Sequence, residues 1–177
     1  MVEETTKGFQ VNHIQQYSHA FTQEQCEYYI FKYKDHQQKD NWTGHYTGIT
    51  IDEPIDIQEQ MSSYENKFPQ LKSIRHRQYQ YKNIQHYQPN QCYSIPHIEH
   101  QYYTEDMSLY RVLVWMINLN TVTDKGGTYF PEQNTMIHPI QGNLSIWPAH
   151  FPYVHYGIKS LTQHKFILTG WNVLSDV

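Results

Sequence analysis

The sequence predicts a mainly β protein, a sandwich or barrel in which two helices come before most of the strands. Short segments rich in aromatic and β-branched residues follow one another after residue 73, and turns containing Pro, Asn or Gly separate them. Two stretches of helical periodicity precede these segments. A chain of 177 residues fits one domain, with a helical support region over residues 1–72 and the β-fold over residues 73–177.

Both helices are predicted from local patterns. Thr22 is a favourable N-cap residue, and Gln25 three positions later completes the pattern of a capping box, so the first helix should run to about Lys34. The second helix is expected to end at the residue before Pro69, because proline disfavours the helical conformation of its predecessor. Its apolar face recurs four, three and four positions apart, at Ile57, Met61, Tyr64 and Phe68.

Two strands are predicted before residue 73. One covers residues 47–51, and a polar turn or loop over residues 41–44 precedes it. The other is a short entry strand that includes Phe9, Val11 and Ile14.

After residue 73 the period changes to that of strands. Tyr79 and Tyr81 alternate with polar residues, as in a half-buried strand. Residues 111–119 form a nearly continuous apolar run, which is typical of a buried strand. The turn over residues 124–127 contains Gly126 and Gly127, which can both adopt positive φ. Further strands are predicted over residues 135–139, 143–147, 153–155 and 165–173.

Charge and composition argue against several functional classes. The net charge is −4 with neutral histidines, whereas proteins that bind nucleic acids usually carry clustered Lys and Arg. The short basic cluster at residues 72–77 is interpreted as a solvated strand edge. The two cysteines, Cys26 and Cys92, predict free thiols in a reducing compartment. The polar N-terminus shows no signal peptide and no apolar run reaches about 18 residues, so we expect a cytoplasmic protein without a membrane span.

The stretch with the clearest chemical meaning is His97-Ile98-Glu99. In an extended strand alternate side chains face the same side, so His97 and Glu99 point together while Ile98 faces apolar packing. With a distant second imidazole, His155, they form the 2-His-1-carboxylate set that holds non-haem Fe(II) and leaves positions open. Lys165, ten residues after His155, adds a fixed cation suited to a carboxylate ligand.

Six ordered elements between residues 79 and 173, roughly half of the chain, stand at spacings typical of one enzyme family. They are Tyr87-Gln88-Pro89-Asn90, His97-Ile98-Glu99, Ile117-Asn118-Leu119-Asn120, Gly126-Gly127-Thr128-Tyr129-Phe130 with Gly142-Asn143, His155-Tyr156-Gly157, and Lys165 with Trp171. In this arrangement the sequence resembles the 2-oxoglutarate/Fe(II)-dependent dioxygenases. Within them it is similar to the prolyl 4-hydroxylase-like branch, particularly its small stand-alone phage and bacterial members. Glu99 departs from the pattern, because this branch usually has Asp there.

The resemblance implies a double-stranded β-helix, or jelly roll, with the N-terminal helices packed on one sheet. It implies a hydroxylase that uses Fe(II), O2 and 2-oxoglutarate, with ascorbate as an optional reductant, and that releases succinate and CO2. Lys165 is expected to bind the C5 carboxylate of 2-oxoglutarate, and Tyr87 or Thr128 to place a hydroxyl on it. The expected substrate is a peptidyl, prolyl-like side chain or a small molecule. The expected iron ligands are His97, Glu99 and His155.

The extra methylene of Glu99 is compatible with metal binding. A carboxylate can ligate through another rotamer at a strain of about 0.5–1.5 kcal/mol. That strain is small beside the free energy of a structural metal site, which is of order 10 kcal/mol. We therefore expect Glu99 to remain a ligand, with altered metal affinity or substrate reach.

Alternatives remain for several site residues. His150 and His164 compete with His155 as the distal ligand. Lys165 at a strand start can instead reach solvent, and both hydroxyl candidates can instead belong to core or turn packing. His100 is expected to face away from His97, at the surface or behind the ligands. Three tryptophans are assigned to the pocket wall or the core and none to catalysis, namely Trp115, Trp147 and Trp171.

Alternatives also remain for function. The second hypothesis is a jelly-roll module that binds a metal or ligand without turnover, with Glu99 marking drift from catalysis. A purely structural protein is a more remote third hypothesis. The substrate would be selected by the loops over residues 41–47 and 101–110, which carry no recognisable code, and the oligomeric state stays open.

Overall fold

The computed structural model describes residues 12–42, 44–100 and 110–175. Helix α1 covers Gln23–Asp35, and helix α2 covers Gln58–Lys67 and leads into a short 3-10 helix at Pro69–Ser73. The strands are β1 (Gln15–Tyr17), β2 (Asp40–Trp42), β3 (Tyr46–Ile51), β4 (His76–Gln78), β5 (Lys82–Tyr87), β6 (Arg111–Asn118), β7 (Thr128–Phe130), β8 (Thr135–Ile137), β9 (Leu144–Pro148), β10 (Tyr156–Gly157) and β11 (Lys165–Leu174).

The strands form two antiparallel sheets. Seven of them follow the order β1-β9-β6-β11-β5-β3-β2 in the main sheet, and β4 joins it by pairing with β11. The small sheet has the order β10-β7-β8. Together with the two helices, these sheets give the predicted double-stranded β-helix. Strands β1, β2 and β3 come from residues 1–72, so this region supplies strands to the main sheet as well as helices.

The central strands of the main sheet are buried on both faces. Along β6, Leu113, Trp115 and Ile117 belong to the core shared with the helices. The alternate residues Val114 and Met116 belong to a second core that includes residues of the small sheet. This division follows from the period of two along a strand. Coverage on both faces explains why residues 111–119 are a continuous apolar run and not an alternating one.

Helix α1 begins and helix α2 ends where local patterns predict. Thr22 caps α1: the backbone N of Gln25 donates to Thr22 Oγ1 at 3.2 Å, and the backbone N of Thr22 donates to Gln25 Oε1 at 2.8 Å. Helix α2 stops at Lys67, two residues before Pro69. Cys26, Tyr29, Tyr33, Met61 and Tyr64 place the buried faces of both helices in one core with the main sheet.

Several strand predictions need correction. The alternation at Tyr79 and Tyr81 does not form a strand, because these residues lie between β4 and β5. The strand predicted over residues 153–155 is instead the pair Tyr156–Gly157. The turn or loop predicted over residues 41–44 is partly strand, because Asn41 and Trp42 belong to β2, which pairs with β3. The entry strand begins at Gln15, immediately after Ile14, and Phe9 and Val11 lie outside the described residues.

The glycine turn before β7 differs in detail from its prediction. Positive φ occurs at Lys125 (84°) and Gly126 (72°), and Gly127 is not among the residues with positive φ. Gly127 is required by close packing, because a Cβ there would lie 2.8 Å from the backbone carbonyl oxygen of Ile137. The turn delivers Thr128 as the first residue of β7.

Two further expectations concern the described residues. Cys26 and Cys92 are free thiols, as predicted. Neither α1 nor α2 is long and apolar enough to cross a bilayer, and the same holds for every helix in the described ranges.

Candidate metal and cofactor site

A short antiparallel bridge brings two distant histidines together. His97 lies in the connection between β5 and β6 and not on the regular strand that the alternation of side chains predicts. Its backbone N donates to the carbonyl of His155 at 3.1 Å, and the N of His155 donates back at 2.9 Å. The two imidazole centroids are consequently 4.4 Å apart.

Glu99 completes a cluster of three potential ligands. Its Oε1 lies 3.4 Å from Nε2 of His97 and 3.7 Å from Nε2 of His155. One ligand atom from each residue falls within 4.8 Å of the others. Atoms bound about 2 Å from a common ion are separated by about 3 Å at adjacent positions, so a small inward movement suffices for coordination. Among the described residues, this is the only group of three or more such side chains within reach of one ion.

Hydrogen bonds to backbone carbonyls orient both imidazoles. Nδ1 of His97 is 2.8 Å from the carbonyl of Ile95, and Nδ1 of His155 is 3.0 Å from the carbonyl of Tyr153. A carbonyl only accepts, so Nδ1 carries the proton in each neutral ring. Nε2 is then the ring nitrogen that faces Glu99 in each histidine. Metal-binding histidines are usually held in this way by a partner on the second nitrogen.

The charges of the cluster are coupled. Burial opposes the charge of Glu99, but its hydrogen bonds with His155 and His97 and the charge of Arg111 hold its pKa well below the usual range. Burial also opposes a positive charge on His97, and the contact with Glu99 outweighs it and raises the pKa of His97. Glu99 is thus an ionised carboxylate at neutral pH, which is the form that binds a metal.

The second oxygen of Glu99 has its own partners. Nη1 of Arg111 donates to Oε2 at 3.0 Å, and Nε1 of Trp171 donates to the same oxygen at 3.0 Å. The sequence pattern assigns Trp171 to the wall or core, and it predicts no role for Arg111. The available signal was a lone arginine opening the apolar strand β6, where a half-buried cation favours an anionic partner.

Lys165 lies in the same cavity as the cluster. The cavity has a volume of ≈340 Å³, and Glu99, both histidines and Lys165 line it. Lys165 is 8% exposed, which excludes the alternative that it reaches solvent. No carboxylate of the described residues lies within 4.0 Å of its ammonium. Burial lowers the pKa of Lys165 to about 8.

The two hydroxyl candidates also line this cavity. Tyr87 is 8% exposed, and its hydroxyl donates to Oε1 of Gln85 at 2.6 Å. Burial raises the pKa of Tyr87 well above its usual value, so its phenol stays neutral and able to donate. Thr128 is 7% exposed. Their placement leaves both residues available to a ligand beside Lys165.

The competing histidines lie elsewhere. Nδ1 of His164 is 2.9 Å from Nε2 of His86, and neither ring belongs to the three-residue cluster. The ring of His150 packs 4.4 Å from that of His100. His100 was predicted to lie either at the surface or behind the ligands. It is only 5% exposed, and its Nδ1 lies 3.4 Å from the carbonyl of Arg111, so the surface position is excluded.

The cavity wall is aromatic and polar. Trp147 and Trp171 line it, whereas Trp115 is fully buried in the core, and all three positions agree with the prediction. Trp42, 51% exposed, stacks on Tyr46 with ring centroids 6.0 Å apart, and both line the same cavity.

The two loops predicted to select the substrate cover residues 41–47 and 101–110. Trp42 and Tyr46 belong to the first loop, and residues 101–109 of the second lie outside the described residues.

Comparisons with known proteins identify the fold. No protein-family model matches the sequence, and no curated protein matches it. Among solved structures, the viral collagen prolyl hydroxylase of Paramecium bursaria Chlorella virus-1, in complex with 2-oxoglutarate, is similar at a TM-score of 0.74 with 15% identity. The match covers 93% of this chain and 97% of that one. A prolyl-4-hydroxylase from Pseudomonas putida has a TM-score of 0.68 and 14% identity, over 94% and 95% of the two chains.

A third structure broadens the comparison. HygX from Streptomyces hygroscopicus, solved with nickel and 2-oxoglutarate bound, has a TM-score of 0.64 and 7% identity, over 99% of this chain and 88% of that one. All of these identities are low, and the similarity therefore concerns the path of the backbone. The chain has the double-stranded β-helix fold of the 2-oxoglutarate/Fe(II) oxygenases.

Proposed function

We propose that this protein is an Fe(II)- and 2-oxoglutarate-dependent dioxygenase that hydroxylates its substrate. The observation that carries the proposal is one cavity that contains both the cluster of His97, Glu99 and His155 and the buried Lys165, which has no ion-pair partner among the described residues. The cluster alone would also fit a protein that only binds a metal, and the lysine alone would also fit one that only binds an anion. Together they match the two requirements of this chemistry, an ion with open positions and a cation for a dicarboxylate.

The donor set fits Fe(II). Two imidazoles and one carboxylate occupy three positions around an ion and leave the others open, the arrangement typical of non-haem iron oxygenases. The carbonyls of Ile95 and Tyr153 accept from Nδ1 of the two imidazoles, which leaves Nε2 of each ring for the ion. Glu99 supplies the negative charge. These three residues are therefore the proposed metal ligands.

Lys165 fits the distal carboxylate of 2-oxoglutarate. A buried charge without a partner is costly, and a carboxylate in the cavity would compensate it. Tyr87 lies directly opposite Lys165 in the pairing of β5 with β11. Its neutral phenol can donate to the same carboxylate in place of Gln85, and Thr128 is the second candidate donor. The keto acid end would then face the metal ligands within the same cavity.

The chain's own residues bind, orient and exclude water. When bound, iron and 2-oxoglutarate supply the oxidising chemistry, in which O2 is consumed and succinate and CO2 are released. Trp147 and Trp171 form apolar wall around the ligand cluster. The stacked pair of Trp42 and Tyr46 offers an aromatic surface to a substrate entering from solvent.

The substrate is proposed to be a peptidyl, prolyl-like side chain, with a small molecule as the alternative. Support comes from the two prolyl hydroxylases of similar fold. The partly exposed aromatic pair at Trp42 and Tyr46 agrees with a ring-shaped apolar side chain, because such rings pack against aromatic faces.

The test is an anaerobic titration of the metal-free protein with Fe(II) and then 2-oxoglutarate. The expected result is a weak metal-to-ligand charge-transfer band in the green part of the visible spectrum, followed by succinate formation when O2 is admitted. Screening peptides and amino acids for increased succinate would then identify the substrate. No band, together with unchanged 2-oxoglutarate affinity in Lys165→Ala, would contradict the proposal. A band without succinate would instead favour a binding module that lacks turnover.

A further inference from the structure

The most distinctive feature of the site is the separate use of the two oxygens of Glu99. Oε1 faces the two imidazoles, at 3.4 Å from His97 and 3.7 Å from His155. Oε2 accepts one hydrogen bond from Arg111 and one from Trp171, both at 3.0 Å. The carboxylate is thus fixed from the side opposite the histidines.

The two donors also support each other. The guanidinium carbon of Arg111 lies 3.8 Å from the ring centroid of Trp171, so the cation stacks on the indole face. Arg111 opens β6 and Trp171 lies in β11, the strand paired with β6. Nη1 of Arg111 additionally donates to the backbone carbonyl of Glu99 at 3.0 Å. Arg111 therefore holds both the backbone and the side chain of Glu99.

We propose that Arg111 and Trp171 are positioning residues that hold the longer glutamate side chain in the geometry required of a metal ligand. The inference rests on the proposed function and deepens it. A glutamate has one more rotatable bond than an aspartate, so its carboxylate loses more freedom when it is fixed beside an ion. Two donors on Oε2 fix that additional torsion before the ion arrives, which is how outer partners usually support a metal ligand.

A purely structural role for this pair makes a different prediction. A buried arginine paired with a glutamate can stabilise a strand end without affecting any ligand. In that case its loss would lower thermal stability but leave metal affinity unchanged once the protein is folded. Metal affinity measured on folded protein therefore separates the two roles, and it does not require turnover.

The experiment measures Mn(II) binding to the full chain by electron paramagnetic resonance of the free ion. Arg111→Met keeps an apolar stem over Trp171 but removes the two hydrogen bonds that Nη1 donates to Glu99, and we expect about 10–100-fold weaker binding. Arg111→Lys retains a cation and should recover part of the affinity. Trp171→Phe keeps an aromatic ring beside Arg111 and removes the N–H that donates to Oε2, while Arg111 still holds Glu99, so the loss of affinity should be smaller. Arg77→Met, an exposed arginine on β4, is the matched control and should bind like wild type.

A second background assigns the effect to the glutamate carboxylate. In Glu99→Asp the side chain is one methylene shorter and cannot reach Arg111 and the histidines at once. Arg111→Met should then cost much less affinity than it does in the Glu99 protein. Equal losses in both backgrounds would overturn the proposal, because Arg111 would be acting through the fold.

The remaining outcomes separate this inference from the proposed function. If wild type binds Mn(II) while Arg111→Met and Trp171→Phe both bind within about twofold of it, the positioning role is wrong and the metal site stands. If folded wild type binds no Mn(II), both ideas are overturned. A graded loss from Trp171→Phe to Arg111→Met, with partial recovery in Arg111→Lys, supports the inference.

Discussion

Lys165 and Tyr87 are direct cross-strand neighbours, and the ammonium of Lys165 lies 5.6 Å from the centroid of the Tyr87 ring. The aromatic face gives the cation partial compensation in a place where no carboxylate of the described residues is within reach. Among the described residues, the pair therefore forms a buried cationic position that no carboxylate of the fold occupies.

Lys165→Met should weaken 2-oxoglutarate binding strongly while leaving the fold intact. Removing one partner of a buried ion pair costs about 3–5 kcal/mol, which corresponds to roughly 100-fold to 4,000-fold in affinity. Without ligand, the ring of Tyr87 compensates the buried cation only in part, so its replacement should leave the melting temperature unchanged or raise it. Isothermal titration of the Mn(II)-loaded protein and a thermal melt measure the two effects. If Lys165→Met binds 2-oxoglutarate as tightly as wild type, Lys165 does not bind this ligand.

The affinity for 2-oxoglutarate should fall as pH rises above about 8. Burial lowers the pKa of Lys165 to about 8, so above this pH the free protein carries a neutral amine. Binding must then take up one proton, and the dissociation constant should rise towards about tenfold per pH unit. Between pH 7 and 8 the profile should be nearly flat. The control is Lys165→Arg, whose guanidinium stays charged, and a flat profile in wild type would contradict the assignment.

His155→Ala should abolish tight metal binding, whereas His150→Ala should not. His155 contributes Nε2 to the cluster, while His150 packs against His100 and lies outside it. Loss of a ligand should exceed the about 10–100-fold effect of losing an outer partner. Metal content after dialysis, with circular dichroism to check folding, gives the comparison. Metal loss in His150→Ala alone would reverse the choice of distal ligand.

Thr22→Ala should destabilise the protein without changing the site. The substitution removes the hydrogen bond from the backbone N of Gln25 to Thr22 Oγ1. Loss of such a cap costs about 1 kcal/mol. Thr22→Ser keeps the hydroxyl and is the matched control, so it should unfold near the wild-type denaturant concentration. Metal affinity should be unchanged in both variants. If Thr22→Ala and Thr22→Ser unfold at the same denaturant concentration, the side-chain cap does not contribute to stability.

The local parts of the fold could be predicted from sequence because their causes are local. The reciprocal hydrogen bonds between Thr22 and Gln25 lie within one turn of α1, and Pro69 acts on the residues just before it. The strand β6 was predictable because both of its faces are buried, which requires a continuous apolar run. By contrast, Tyr79 and Tyr81 alternate like a strand but lie between β4 and β5, and the backbone of Tyr79 bonds to β11 only through its N, which donates to the carbonyl of Trp171 at 2.8 Å. Alternation alone cannot reveal where the pairing with a partner strand breaks.

By itself, the sequence determined which side chains have metal-binding and anion-binding chemistry: His97, Glu99, His155 and Lys165, with Tyr87 and Thr128 beside them. Tertiary structure alone decided how they meet. The bridge joins His97 to His155, 58 positions later in the sequence. Arg111, at the start of β6, reaches Glu99 in the connection before that strand. Such contacts arise from backbone pairing and burial between distant segments, and the spacing of residues along one chain does not encode the partner of a buried charge.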